Sequence, residues 1–166
     1  MDRNSMEAYE YIHEVNVKSI MKLNHLTEPF LEKSKGNIVN ISSIAGILPR
    51  PAILPYAMSK AALDHYMLSK THDLAKKGIR INNVSPGLIV TNFHEQLGVS
   101  KEDQDKFRKG YSKGYSKVIP MGRPGSPEEI AKVIGFLGSD DASYVTGIAL
   151  VADGGVAQFV NKPNYE

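Results

Sequence analysis

The sequence predicts an α/β fold in which a parallel sheet is covered by helices on both faces, and only the C-terminal part of that fold. Three observations lead there. Short β-branched runs alternate with longer helical patterns, the arrangement that makes parallel strands with crossover helices. The first element reads as a crossover helix with no strand before it. Three strands are visible in all, which would leave a sheet edge unpaired and several helix faces bare.

The elements follow in order. Over residues 6–31, Ile12, Val15, Ile20, Leu23, Leu26 and Phe30 recur at helical spacing, and Pro29 is expected to loosen the last turn. Gly36-Asn37 punctuates the chain before a strand at 38–41, Ile-Val-Asn-Ile, which ends in Ser42-Ser43. Pro49, Pro51 and Pro55 break regular structure next. Residues 56–77 hold no Pro or Gly and are rich in Ala, Leu, Lys and Met, so they predict a helix. Gly78 stands where a glycine ends a helix. A second strand, 79–84, closes at Ser85-Pro86-Gly87. Residues 100–117 are polar and read as a surface helix followed by a loop. Ser126-Pro127-Glu128-Glu129 combines an N-cap serine, a proline at N1 and a glutamate at N3. The helix it starts shows Ile130, Val133, Ile134 and Leu137 on one face and stops at Gly138. A third strand, 148–151, runs into Asp153-Gly154-Gly155.

Composition narrows the classes of function. The chain has 166 residues, 42% of them hydrophobic and 23% charged, with a formal net charge of +2. So small an excess of base leaves no footprint for nucleic acid. With Cys 0, disulfides, thiolate metal sites and a cysteine nucleophile are excluded. No apolar run reaches the ~18 residues that span a bilayer, and the first residues lack the apolar core of a secretory signal. These features lead us to expect a cytoplasmic protein. His13, His25, His65, His72 and His94 have no carboxylate grouping at metal-ligand spacing, so no metal site is expected.

Tyr56 and Lys60 lie four apart on a predicted helix and share a face. An ammonium beside a phenol favours the phenolate, which is expected to lower the Tyr56 pKa from about 10 toward neutrality. Such a phenol is a general acid/base for a proton on a carbinol oxygen. Tyr66 and Lys70 repeat the spacing ten residues later, turned by roughly 80° around the helix. The preceding strand separates the two pairs. Ser43 stands at its C-terminal end, where open α/β sheets bind ligands, and precedes Tyr56 by thirteen residues. The position thirteen before Tyr66 is Ile53, which has no hydroxyl.

Together these segments resemble the classical short-chain dehydrogenase/reductase family, and in style its 3-oxoacyl-thioester reductases. The resemblance rests on Ile-Val-Asn-Ile-Ser-Ser-Ile-Ala-Gly from Ile38, Tyr56-Ala-Met-Ser-Lys60-Ala-Ala-Leu, Arg80-Ile-Asn-Asn-Val-Ser-Pro-Gly87 and Val151-Ala-Asp-Gly-Gly155. Gly122-Arg123-Pro124-Gly125 with Pro127-Glu128-Glu129-Ile130-Ala131 adds to it. It implies a Rossmann-like doubly wound sheet and a hydride transfer between NAD or NADP and a ketone or secondary alcohol. It also implies four catalytic roles. Tyr56 is the acid/base, Lys60 lowers its pKa and holds the nicotinamide ribose, Ser43 polarises the carbonyl, and Asn16 holds a relay water. Pro86, Gly87, Ile89 and Thr91 match the loop around the nicotinamide, and residues 100–117, with Phe107 and Tyr111, match the family's substrate lid.

The family's Thr-Gly-x-x-x-Gly-x-Gly turn and its Asn-Asn-Ala-Gly segment do not occur in the sequence, so the chain reads as the catalytic half of one domain, with doubtful activity by itself. The rival expectation is a catalytically inactive truncated protein that acts through oligomer surfaces. On either reading a homodimer or homotetramer is expected. Ala57, Ala61, Tyr66, Met67, Leu68 and Leu74 spread over more of helix 56–77 than one sheet contact covers, and pairing with helix 7–31 across a twofold would cover the rest.

Overall fold

The computed structural model describes residues 2–91 and 118–160. A long helical run opens the chain: α1 (Met6–His13), a π-helical turn (Glu14–Lys18) and α2 (Ser19–Ser34). Strand β1 (Asn37–Ile41) leads through two 3-10 turns (Ile44–Gly46 and Pro51–Ile53) to α3 (Leu54–Lys76) and then β2 (Arg80–Pro86). Helix α4 (Pro127–Gly138), a 3-10 turn (Asp140–Ala142), β3 (Ala149–Ala152) and α5 (Val156–Val160) complete it. The strands pair in the order β1-β2-β3, all parallel, with Ile38 opposite Ile81 and Val84 opposite Leu150. The three strands and the helices between them stand where periodicity puts them. The stretch 100–117 lies outside the described residues.

Alternation along the strands divides the core between the two faces. Ile38 and Ile81 meet Met67 and Leu74 of α3 on one face, with Leu31 of α2 and Tyr66 beside them. Val84, on the other face, meets Leu137 of α4, with Val39, Ile130, Val133, Ile134 and Leu150 around it. The capping box at Ser126 forms in full, since Ser126 Oγ accepts from the Glu129 N–H and the Glu129 carboxylate accepts from the Ser126 N–H. Gly78 takes φ +78°, and the Gly78 and Ile79 N–H groups close the end of α3 onto Ala75 and Leu74 carbonyls. Arg80 reaches across to the other end of α4. Its guanidinium donates to the Leu137 carbonyl at 2.8 Å and the Ser139 carbonyl at 2.9 Å, which fastens a helix end to the start of β2.

Two expectations need correction, one for each long helix. Pro29 does not loosen the end of its helix, for α2 continues to Ser34 and ends at Lys35 with φ 51°. The apolar stripe of the first helix faces outward: Leu23, Leu26 and Phe30 are 60%, 58% and 71% exposed, while Ala8 and Asn24 are the buried positions. Met67 and Leu74 are not surplus apolar surface, because both fill the core against the sheet at 0% and 1% exposure. Leu68, 57% exposed, faces outward from α3, as do Leu54 and Met58 in its first turns.

Candidate active site

Ser43 follows β1 in an extended conformation and caps the next 3-10 turn, where its Oγ accepts from the Ala45 N–H at 3.1 Å. Its hydroxyl also acts on the Tyr56 phenol, whose pKa it lowers. Tyr56 sits in the first turn of α3, and Lys60 follows one turn on. The Lys60 Nζ lies 5.6 Å from the centre of the Tyr56 ring and donates to the Ile41 carbonyl at 2.8 Å. Ser42 closes the same seam by donating to the Lys60 carbonyl at 3.4 Å. Gly46 permits this close approach of the turn to the helix. A Cβ there would lie 2.8 Å from the Ala61 nitrogen and 2.9 Å from the Lys60 carbonyl carbon.

The electrostatics differ from the sequence expectation. Burial pushes the Tyr56 phenol above its usual value of 10.0, and the Ser43 hydroxyl opposes that rise in part. Burial likewise pulls the Lys60 ammonium below its usual 10.5, opposed by the charge of Asp64. Lys60 does not drive Tyr56 toward phenolate here, because its Nζ is turned to a carbonyl at the end of β1. Tyr56 is therefore a neutral donor.

Asn16 lies in the π-helical turn, a backbone irregularity that widens a helix locally. Its Nδ2 donates to Ser59 Oγ at 3.1 Å, and Ser59 donates to the Tyr56 carbonyl at 2.7 Å. Asn16 is thus tied to the first turns of α3 through Ser59. Fully buried Ser59 was missed by sequence reasoning, although it stands inside the Tyr-x-x-x-Lys spacing.

Pro86 ends β2, opposite Ala152 in β3. Gly87 packs so tightly on the next segment that a Cβ would sit 2.6 Å from Asp153 Cβ. Ile89 forms a parallel bridge with Gly125, closed by Gly125 N–H to Leu88 carbonyl at 2.9 Å and Val90 N–H to Gly125 carbonyl at 3.0 Å. Arg123 grips Glu129 through both carboxylate oxygens at 2.9 and 2.7 Å, which holds this bridge to the start of α4. Thr91 is the last described residue of the loop. Ser43 and Pro86 through Thr91 therefore follow the C-terminal ends of neighbouring parallel strands, the position where such sheets bind ligands.

The second tyrosine–lysine pair is used differently. Tyr66 packs against the core cluster around Ile38 and Met67. The Lys70 Nζ lies 3.6 Å from Glu28 of α2. Asn82 and Asn83, which resemble an adenine-side segment only in letters, hold the fold together. Asn82 accepts from the Ile148 N–H and donates to the Val145 carbonyl, and Asn83 donates to Asp64.

Comparison with known proteins gives this arrangement a context. Residues 1–157 match the family described as enoyl-(acyl carrier protein) reductase. The chain is 37% identical over 155 residues to a 3-oxoacyl-[acyl-carrier-protein] reductase of Thermotoga maritima, covering 93% of this chain and 59% of the relative. It is 38% identical over 152 residues to dehydrogenase/reductase SDR family member 4 of Sus scrofa, covering 91% of this chain and 52% of the relative. The chain thus spans between half and two thirds of the length of these relatives. Among solved structures, a Caenorhabditis elegans short-chain dehydrogenase/reductase of unknown function, crystallised with cofactor, superposes with a TM-score of 0.87 at 38% identity. That match covers 95% of this chain and 58% of the other. A 7α-hydroxysteroid dehydrogenase complexed with NADH and 7-oxo glycochenodeoxycholic acid superposes with a TM-score of 0.77 at 33% identity, over 91% of this chain and 56% of the other. With the match running through nearly the whole chain, this protein belongs to the short-chain dehydrogenase/reductase family.

Proposed function

We propose that these residues form the catalytic half of an NAD(P)-dependent oxidoreductase that interconverts a ketone and a secondary alcohol. The observation that carries the reading is the meeting of Ser43, at the end of β1, with the Tyr56 phenol, while the Lys60 ammonium of the same helix lies 5.6 Å from the centre of that ring. It unites a proton donor, a second hydroxyl and a cation at one strand end.

A nicotinamide dinucleotide fits the donor set. Lys60 is buried and donates to one neutral carbonyl, that of Ile41, so its ammonium keeps N–H groups for ribose hydroxyls. The loop from Pro86 through Gly87 and Ile89 to Thr91 would line the nicotinamide side. When bound, that group supplies the hydride. Tyr56 gives its proton to the carbonyl oxygen as the alcohol forms, and its elevated pKa keeps it in the acid form this step requires. Ser43 donates its hydroxyl proton in a hydrogen bond to the substrate oxygen, where it stabilises developing negative charge. Asn16 and Ser59 fix the backbone carbonyl of Tyr56, so the phenol meets the substrate in one orientation.

In the proposed assembly the exposed stripe of α2 and Leu68 of α3 face a second copy, giving a homodimer or homotetramer. The test of function uses a protein that pairs this chain with the strands of a full-length short-chain reductase. Tyr56→Phe is expected to cut turnover by about 10²–10⁴-fold, while Tyr66→Phe keeps most of it. Equal losses from the two changes would refute the assignment.

A further inference from the structure

Four polar side chains cross the buried layer between the sheet and its helices in a single relay. Asn24 of α2 donates to Asn40 Oδ1 of β1 at 3.4 Å, and Asn40 donates to Asn83 Oδ1 of β2 at 3.0 Å. Asn83 then donates to Asp64 Oδ1 of α3 at 2.7 Å and to the Leu63 carbonyl at 3.3 Å. Asn24, Asn40 and Asn83 are all buried. The relay runs one way, from amide to amide, and needs an acceptor at its end; an ionised carboxylate supplies it. The second oxygen of Asp64 is confined as well. It lies 3.0 Å from where a Gly46 Cβ would stand, so the glycine at the end of the Ser43 turn leaves room for it.

Asp64 follows Lys60 by four residues on α3, so their side chains stack on one face of the helix. We propose that Asp64 is a positioning residue for the reactive pair, a counter-charge fixed by the asparagine relay that keeps the buried Lys60 ammonium beside Tyr56. The proposal rests on the reading of Lys60 and Tyr56 given above. Among the described residues, no other charge competes for the role. Tyr56 shares the helix and is neutral. The end of β1 and its turn bring the Ile41 carbonyl, Ser42 and Ser43; β2 brings Asn83. On the first helical run, His13 is turned to the Tyr9 carbonyl, Asn16 is neutral, and Glu14 pairs with Lys18 at the surface. The attraction of Asp64 is the influence that opposes the burial of Lys60.

The test needs neither substrate nor cofactor. The titration of Lys60 is followed in this chain by NMR of ¹³Cε-labelled lysine and assigned with Lys60→Met. Asp64→Asn keeps an oxygen to accept from Asn83 and removes only the charge. It is expected to lower the Lys60 midpoint by about one pH unit, with the thermal midpoint little changed. Glu28→Gln removes an equal charge from α2, away from Lys60, and is expected to leave the titration in place. An unmoved Lys60 midpoint in Asp64→Asn overturns the proposal. So does early melting of that variant, because the relay is argued to survive it. Loss of the functional reading looks different: Tyr56→Phe would then retain turnover while the Lys60 titration still answered to Asp64.

Discussion

Gly46 sets the distance between the turn that carries Ser43 and the helix that carries Tyr56. Replacing it by Ala places a methyl 2.8 Å from the Ala61 nitrogen and 2.9 Å from the Lys60 carbonyl carbon, where ordinary contact begins at 3.4 Å. Both neighbours are backbone atoms in the interior of α3, so neither can rotate aside. The turn must retreat by about 0.6 Å, or α3 must. Overpacking of this kind costs about 1–3 kcal/mol, which in a chain of this length is a fall in Tm of roughly 3–10 °C. The retreat also draws Ser43 from Tyr56, and misplacement of reacting groups by ~1 Å can cost about 10²-fold in rate. We therefore expect Gly46→Ala to lower Tm within that range by circular dichroism. We also expect a loss of turnover, in a complemented full-length protein, larger than the stability change accounts for. A variant with native Tm and native turnover would refute the claim that this glycine governs the approach.

Three further outcomes follow from the structure. Glu129, held at a pKa of about 2 by Arg123 and the Ser126 N–H, is depressed in the folded state, so its contribution is present above the unfolded value of 4.5 and is lost as pH falls toward 2; thermal melts between pH 5 and 2 should fall less steeply in Glu129→Gln. Met67→Lys puts a charge into a fully buried site and should unfold the chain, at a cost above about 3 kcal/mol. Leu68→Lys should keep the fold and lower the assembly state seen by light scattering; an unchanged assembly state would remove α3 from the interface.

The sequence made the alternation of strands and helices readable, because β-branched runs and glycine or proline punctuation are local signals. Ser43, Tyr56 and Lys60 were legible for a related reason: one strand end and one helix turn fix their spacing, whatever surrounds them. The direction of the Tyr56 shift was not, because it depends on burial and on where Nζ points. Periodicity revealed the stripe of Leu23, Leu26 and Phe30, but a stripe does not say which surface covers it, and Asn24 on the opposite side turned inward. Asn40 and Asn83 could have served as a signal, since polar residues inside otherwise apolar strands require buried partners. The π-helical turn at Asn16 leaves no comparable trace. Glu-Val-Asn-Val-Lys has the letters of any helix, and only the family resemblance picked Asn16 out.

The parallel bridge between Ile89 and Gly125 has a consequence for how this protein can vary. It sets the residues on either side of 92–117 next to each other, and Arg123 with Glu129 anchors one of those sides to α4. The chain thus leaves beyond the end of the central strand, β2, and returns beside it through a fixed doorway. A segment whose ends are already joined can be lengthened at little cost, because closure entropy grows only with the logarithm of its length. Whole replacement segments can therefore be exchanged between Thr91 and Val118 while Ser43, Tyr56 and Lys60 keep their places. The length and content of that interval and the arrangement of the strand ends then become separately editable parts of one chain.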